Sequence, residues 1–371
     1  MLMKKLSNYA EVISGFAFDS NLFNDVNGMP LVRIRDIRRG YTETYTTEEY
    51  KDEYIIKKDD ILIGMDGEFN ISKWKSDDAL LNQRVCKVNP INTCNGDFIY
   101  YSLPFKLKEI ENSTSFATVK HISLKQILNI DIPDYSLEEQ NKIAMKLNLI
   151  NNMINNKKHQ LFKLDELIKS QFVEMFGTIK NNNKFAYITI GEVIDKNIIK
   201  IKKRFKNGDK IKYIDISSID SVKNVMSGYT DYKVGEEPSR AQQCLRYNDI
   251  VVSTVRPNLK NIAMNKYNDD NIIGTSGFCV LRSKGIRAEY LMYILLSDDF
   301  TNDMSSITTG ANYPAIHNED IYNYKIPNAP LELQNKFSEF VKQVDKQKFE
   351  FEKQLKKLEE LQASLMQEYF G

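Results

Sequence analysis

The side chains with most chemical potential in this 371-residue sequence are clustered cations and amides. Arg33, Arg35, Arg38 and Arg39 lie in one short segment, RIRDIRR. Lys73 and Lys75 flank the only tryptophan, Trp74, and Asn82-Gln83-Arg84 follows. Lys120 and His121 sit in a polar stretch. Further on, KIKKRFK (200–206) is the densest basic run and contributes Lys202, Lys203, Arg204 and Lys206. Arg240, Gln242, Gln243, Arg256, Asn258 and Lys260 come next, and Asn312, Tyr313 and His317 occupy a second polar stretch. Cationic groups of this kind pair with phosphates, while Arg, Asn and Gln present hydrogen-bonding pairs that match base edges. Strand alternation would place Arg33 and Arg35 on one face, opposite Ile34. Lysine reads bases poorly, so the 200–206 run is expected on phosphate. Arg256, beside Pro257 just after the apolar NDIVVSTV, is the better candidate for specificity. The plainer alternative for each of these residues is a solvated charge or a structural hydrogen bond.

Other chemistries find no support. There is no G-x-x-x-x-G-K-[ST] phosphate loop, no credible G-x-G-x-x-G, and no Asn/Asp-Pro-Pro-aromatic tetrapeptide of the kind an amino-methyltransferase needs. His121, His159 and His317 are far apart, and Cys86, Cys94, Cys244 and Cys279 lack C-x-x-C spacing, so neither a metal site nor a disulfide framework is expected. Carboxylate pairs such as Asp59-Asp60 and Glu236-Glu237 read as solvated turns. No catalytic residue is assigned. Hydrophobic residues at 42% and charged residues at 27% are ordinary for a globular chain of two or three domains. No apolar run reaches the roughly 18 residues that span a bilayer, and MLMKKLSNYAEV lacks a secretory pattern. A cytoplasmic protein is expected. Formal net charge is +1; residues 178–330 carry 21 Lys and Arg against 17 Asp and Glu, and residues 1–136 carry 17 against 20. A bulk positive field is therefore missing, and anion binding in the first half would need local patches.

The sequence is written twice. LEEQNKI begins at Leu137 and LELQNKF at Leu331; KLDEL begins at Lys163 and KLEEL at Lys357; SQFVEMFG ends at Gly177 and SLMQEYFG at Gly371. All three pairs are 194 positions apart. ILNIDIP and IYNYKIP share that offset. LVRIRDI (from Leu31) and YIDISSI (from Tyr213) are 182 apart, and DDILIG and NDIVVS are 189 apart. The drift implies insertions in loops of the second copy on a retained scaffold. Four segments follow: a mixed α/β domain over 1–136, a helix over 137–177, a second mixed domain over 178–330, and a second helix over 331–371.

Both helical segments carry heptad-spaced apolar columns. Leu147, Ile154, Leu161, Ile168 and Met175 form one; Phe337, Val344, Phe351, Leu358 and Leu365 form the other. Such seams are expected to pack on each other in a coiled-coil-like spacer. About 35 residues at roughly 1.5 Å each give roughly 50 Å, longer than the roughly 34 Å of one turn of B-DNA. Ser136 with Glu139 forms a capping-box pattern, Pro330 suits the first turn of the second helix, and Gly177 suits a C-terminal cap.

A variable region followed by an L-x-E-Q-x-x-I-like helix start, twice over, resembles the specificity subunit of type I restriction-modification systems. The matching residues are LEEQNKI (137–143), LELQNKF (331–337), SGFAF (14–18), DDILIG with NDIVVS, and the polar stretches SFATVKHISLKQI (115–127) and TTGANYPAIHNEDI (308–321). Phe337 stands where the pattern has an aliphatic residue. The resemblance extends over essentially the whole chain and rests on the order and duplication of its motifs. It implies two target-recognition domains in tandem, separated by two long antiparallel helices, each domain reading half of a bipartite site in double-stranded DNA. It also implies two partner modification subunits that bind S-adenosylmethionine and methylate adenine, and restriction subunits that use ATP and Mg. This chain would hold no cofactor of its own. Two readings compete: a tandem-repeat adaptor for proteins, or the recognition subunit of a methylation-only or other multisubunit system. A self-contained nuclease would need clustered Asp, Glu and Lys on a strand, which is not seen.

Overall fold

The computed structural model describes residues 2–113, 120–180, 182–308 and 314–371. They divide into two compact units, Met1–His159 with Glu352–Gly371, and Gln160–Phe351. Both long helices are present, Leu137–Phe176 and Leu331–Phe370, each of 40 residues. Neither stands as a unit by itself, since each unit takes a stretch of both.

The helix ends follow local chemistry. Ser136 and Glu139 form the capping box: the Ser136 N–H donates to the Glu139 carboxylate (3.0 Å), and the Glu139 N–H donates to the Ser136 hydroxyl (3.3 Å). Gly177 closes the first helix at φ 77°, its N–H donating to the Val173 carbonyl. Pro330 lies one position earlier than expected. Its carbonyl accepts from the Gln334 N–H, so it caps the second helix rather than sitting in its first turn.

The first unit contains a four-stranded sheet ordered Ala10–Ser14, Val85–Pro90, Ile61–Gly64, Ile71–Lys73. A five-stranded sheet pairs Met29–Val32 in parallel with Ala79–Leu81. The second unit repeats the plan. Its first sheet runs Ile194–Asp195, Phe278–Ser283, Ile250–Ser253, Ile262–Met264, and a second pairs Lys210–Ile214 in parallel with Ile272–Thr275. The near-continuous apolar runs ILIG and IVVS are explained by their position: all four residues of each strand are buried. The preceding turns also match, with Asp59 and Asn248 both at positive φ, a conformation that Asp and Asn tolerate. A hairpin of Ile219–Asp220 with Val225–Met226 falls in the interval where the repeat offset grows.

RIRDIRR departs from the strand expectation. Ile34–Arg39 is a helix, with Arg33 as its N-cap. The buried Asp36 carboxylate accepts from the Arg33 N–H (3.0 Å), Ile37 turns into the core, and Gly40 ends the helix at φ 79°. Local capping thus overrides the strand-like alternation.

Within each unit the two helical stretches run antiparallel. In the first, Lys158 pairs with Glu359 (3.0 Å) and the Lys146 ammonium lies 5.9 Å from the Tyr369 ring centre. Ile143, Ala144, Leu147 and Phe370 join the same core as Phe98. In the second, Asp165 pairs with Lys348 (2.6 Å), while Phe172 and Phe176 each pack 5.5 Å from Phe337. Phe337 therefore fills an aromatic cluster with Tyr290, and the larger ring is accommodated where the motif has an aliphatic residue. Leu147, Ile154, Ile168, Phe337 and Val344 are buried, and Leu161, Met175, Phe351, Leu358 and Leu365 are half-buried.

The glutamine of each LExQN motif is a docking residue. In the first unit the Gln140 side-chain oxygen accepts from the Asn95 N–H (2.9 Å), just ahead of the helix Gly96–Ser113. In the second, Gln334 accepts from the Arg287 N–H (2.9 Å), just ahead of Ala288–Leu295. Each supplies a partner for a helix-terminal donor that the helix itself cannot satisfy.

Candidate nucleic-acid interface

The two units share one backbone frame around their most polar loops. In the first, the Met65 N–H donates to the Arg84 carbonyl (2.8 Å), the Gly67 N–H to Lys120 (2.8 Å), and the Ile122 N–H to Met65 (2.9 Å). In the second, Thr254 donates to Gly277 (3.0 Å), Arg256 to Pro314 (2.8 Å), and Ile316 to Thr254 (2.9 Å). Isolated bridges Asp66↔His121 and Val255↔Ala315 complete the match. The same scaffold thus holds different side chains, with Asp66, Gly67, Arg84 and His121 standing where the second unit has Val255, Arg256, Gly277 and Ala315.

In the first unit the frame gathers several of the expected residues. Arg84, at φ 68°, lies 3.5 Å from the Asp66 carboxylate through Nε, and His121 Nδ1 is 2.6 Å from the same carboxylate. Arg38 reaches the same loop through Glu68 (2.6 Å). Gln83 and Arg39 are exposed, as is Arg33 at the N-cap. Arg35 donates to the Thr44 hydroxyl (3.2 Å), and Lys75 is exposed beside Gly40. Two lysines are occupied elsewhere. Lys73 forms an ion pair with Asp97, and Lys120 donates to the Glu111 carbonyl (2.8 Å). Lys73 thereby links a strand to the helix Gly96–Ser113. Trp74 is buried, its indole N–H donating to the Asp77 carbonyl (2.7 Å).

In the second unit Arg256 takes the left-handed conformation (φ 51°) that Gly67 has in the first (φ 72°). A non-glycine residue in this region carries strain, which proteins retain mainly where a site uses it. Asn258 is exposed on the following turn, Pro257–Leu259. Arg240 is exposed nearby, its carbonyl accepting from the Ser276 N–H (2.7 Å) next to Gly277. The run 200–206 forms a short helix, Ile201–Arg204: Ile201 is buried, Lys202, Lys203 and Lys206 are exposed, and Arg204 pairs with Asp270 (3.1 Å). Lys260 is tied to Asp298 (2.6 Å) and Gln242 to the Ser239 carbonyl (2.7 Å).

One further reading is corrected. Gln243 is buried, and its amide nitrogen donates to the Thr275 and Phe278 carbonyls (2.8 and 2.9 Å), so it holds strands together rather than facing a ligand. His317 is exposed at the N-cap of Asn318–Tyr322, the place that Ser123 takes before Leu124–Leu128. Asn312 and Tyr313 lie outside the described residues, as do the adjoining parts of both polar stretches.

Sequence reasoning missed Asp66 altogether. Setting DDILIGMDG against NDIVVSTVR would have placed it opposite Val255, and Gly67 opposite Arg256. Among the described residues no cluster of His, Cys, Asp or Glu is arranged to hold a metal ion, and no helix is long and apolar enough to cross a membrane. Cys86 and Cys279 are core residues whose burial pushes their thiols up to about 12.

The duplicated frame, each copy followed by a long helix that begins at a buried glutamine, defines a class of paired recognition domains. Residues 2–166 and 180–362 match the profile of the type I restriction modification DNA specificity domain, and the chain belongs to that family. It is similar to the type I restriction enzyme EcoBI specificity subunit of Escherichia coli, with 38% identity over 44% of this chain and 35% of that protein. Similarity to the MjaVIII specificity subunit of Methanocaldococcus jannaschii is 26% identity over 89% of this chain and 87% of the relative. The crystal structure of the S subunit of a type I system from M. genitalium superposes with a TM-score of 0.60 at 16% identity, covering 100% of this chain and 96% of that one, which shows a shared fold.

Proposed function

We propose that this chain is the sequence-specific DNA-recognition subunit of a type I restriction-modification complex, each unit reading one half of a bipartite site in duplex DNA. The observation that carries this reading is the pair of backbone frames with matching hydrogen bonds bearing different side chains. A protein that reads two unlike half-sites needs one docking geometry and two sets of base contacts. Arg256 belongs to the base-reading set, whereas Lys202, Lys203 and Lys206 suit phosphate. The long helices set the distance between half-sites and dock modification subunits.

On this reading the chain is non-catalytic and cytoplasmic and binds no cofactor. S-adenosylmethionine, ATP and Mg belong to the modification and restriction subunits. The test is to combine the full chain with its modification subunits, select bound duplexes from a random pool, and map methylated adenines in the host. Two short defined blocks around a fixed gap are expected. A continuous motif, or binding without sequence preference, would overturn the proposal, the second outcome favouring a protein-binding adaptor.

A further inference from the structure

Arg84, Asp66 and His121 come from three separate segments and meet at one exposed point of the first unit. The Arg84 side chain is 53% exposed, Asp66 only 23%. Of the two contacts at His121 Nδ1, that to Asp66 Oδ1 (2.6 Å) is far shorter than that to Arg84 Nη1 (3.3 Å). Nδ1–H is therefore the donor to Asp66, which locks the imidazole against the carboxylate. The other Asp66 oxygen faces Arg84 Nε, and Arg84 Nη2 has no partner among the described residues.

The fold does not need this trio. All three backbone bonds of the frame persist in the second unit, where the corresponding residues are Val255, Gly277 and Ala315. Arg84 also holds a left-handed backbone conformation (φ 68°) that costs a non-glycine residue energy and that its counterpart Gly277 does not adopt. A ligand role accounts for both facts. The ligand is not a phosphate, because a carboxylate beside the guanidinium would repel it. An ion contact at Nε (3.5 Å) leaves the terminal nitrogens of the guanidinium as a donor fork, which matches O6 and N7 of guanine.

We propose that Arg84 reads a guanine in the half-site of the first unit and that Asp66 is the positioning residue that aims it. This rests on the DNA-recognition reading above. The second unit places its own arginine on another segment of the same frame, at Arg256 where the first unit has Gly67, and so reads a different position.

The test uses the full chain with its modification subunits and duplexes selected from a random pool. Arg84→Lys and Asp66→Asn should each lower the preference for guanine at one position of one half-site by about tenfold or more. Asp66→Glu should restore part of it, and the other half-site and the salt dependence should stay as in the wild type. An unchanged guanine preference in Asp66→Asn would overturn the positioning role. A shallower salt dependence with uniform loss over all sequences would place Arg84 on phosphate and overturn the reading role. The triple exchange Asp66→Val, Arg84→Gly, His121→Ala installs the second unit's residues on the same frame. It should fold with a urea midpoint at or above the wild-type value, since Arg84→Gly relieves a left-handed backbone, and lose the preference; failure to fold would show the trio to be structural. If instead the wild-type complex shows no sequence preference, the DNA-recognition reading itself fails, an outcome distinct from each of these.

Discussion

Gln140 and Gln334, 194 positions apart, make the same two bonds in their respective units. Each side-chain oxygen accepts a backbone N–H at the head of a domain helix, and each side-chain nitrogen donates to a carbonyl five residues back, that of Tyr135 (2.9 Å) or Ala329 (2.7 Å). Both glutamines are 2% exposed. Each thus welds the start of a long helix to the domain that precedes it.

Replacing Gln334 by Ala leaves the buried Ala329 carbonyl and the part-buried Arg287 N–H without partners, at about 1–3 kcal/mol for the buried group. A clear fall in the urea midpoint is expected, with faster amide exchange at Arg287. Gln334→Glu keeps the accepted bond but sets a carboxylate against the Ala329 carbonyl. A Gln334→Glu protein with the wild-type midpoint would show that the donated bond contributes nothing.

Asp249 and Arg282 form the most enclosed ion pair among the described residues of the second unit. Both carboxylate oxygens are engaged by Arg282, at 2.9 and 2.7 Å, and one also accepts from the Arg246 N–H (2.8 Å). Asp249→Ala would strand a buried guanidinium and should cost about 3–5 kcal/mol. Arg282 Nη1 already lacks a partner among the described residues, so the pair is not fully compensated. Asp249→Leu combined with Arg282→Met should therefore be milder than Asp249→Ala alone. Urea unfolding of both variants decides this, and a double variant less stable than the single one would show the pair to be net stabilising.

Arg256 offers a case in which backbone strain and recognition can be separated. Arg256→Gly relieves a left-handed backbone at a position where the first unit has Gly67, and should be about 1 kcal/mol more stable than Arg256→Ala, which keeps the strain. The same change removes the side chain, as does Arg256→Ala, and either should relax sequence preference at one half-site. Lys203→Ala should instead weaken binding to all sequences and make the salt dependence shallower. Binding to a panel of half-site variants at several salt concentrations separates the two, and identical profiles for Arg256→Ala and Lys203→Ala would refute the division.

What was legible from sequence, and what was not, follows from the range of the interactions. The long helices and their seams could be read because periodicity, Ser136 with Glu139, and Gly177 are local signals. The duplicated strands could be read from repeated apolar runs. RIRDIRR was misread because three residues, Arg33, Asp36 and Gly40, build a capped helix that alternation alone does not reveal. The contacts of Lys73 and Gln243 were not legible because their partners, Asp97 and the carbonyls of Thr275 and Phe278, are 24 or more residues away in sequence. Asp66 escaped notice for the same reason, as it meets His121 across 55 positions.

The Lys73, Asp97 and Asn148 contacts make the first unit sensitive to acid. Burial raises the pKa of Asp97, but hydrogen bonds from the Lys73 ammonium and the Asn148 amide outweigh it and hold the carboxyl below its ordinary value. A carboxylate with a depressed folded-state pKa contributes stability that is present above its unfolded value, about 3.9, and is lost as pH falls through the folded one. The first unit should therefore lose stability below about pH 4. Asp97→Asn should be less stable at neutral pH yet show a flatter decline under acid, because the titrating group is gone. Lys73→Met removes the strongest opposing bond, so burial weighs more and the acid-linked loss should shrink in the same way. Urea midpoints for the three proteins between pH 7 and pH 3 test this directly. Parallel pH curves for wild type and Asp97→Asn would mean that Asp97 does not titrate in this window and that other carboxylates govern the acid response.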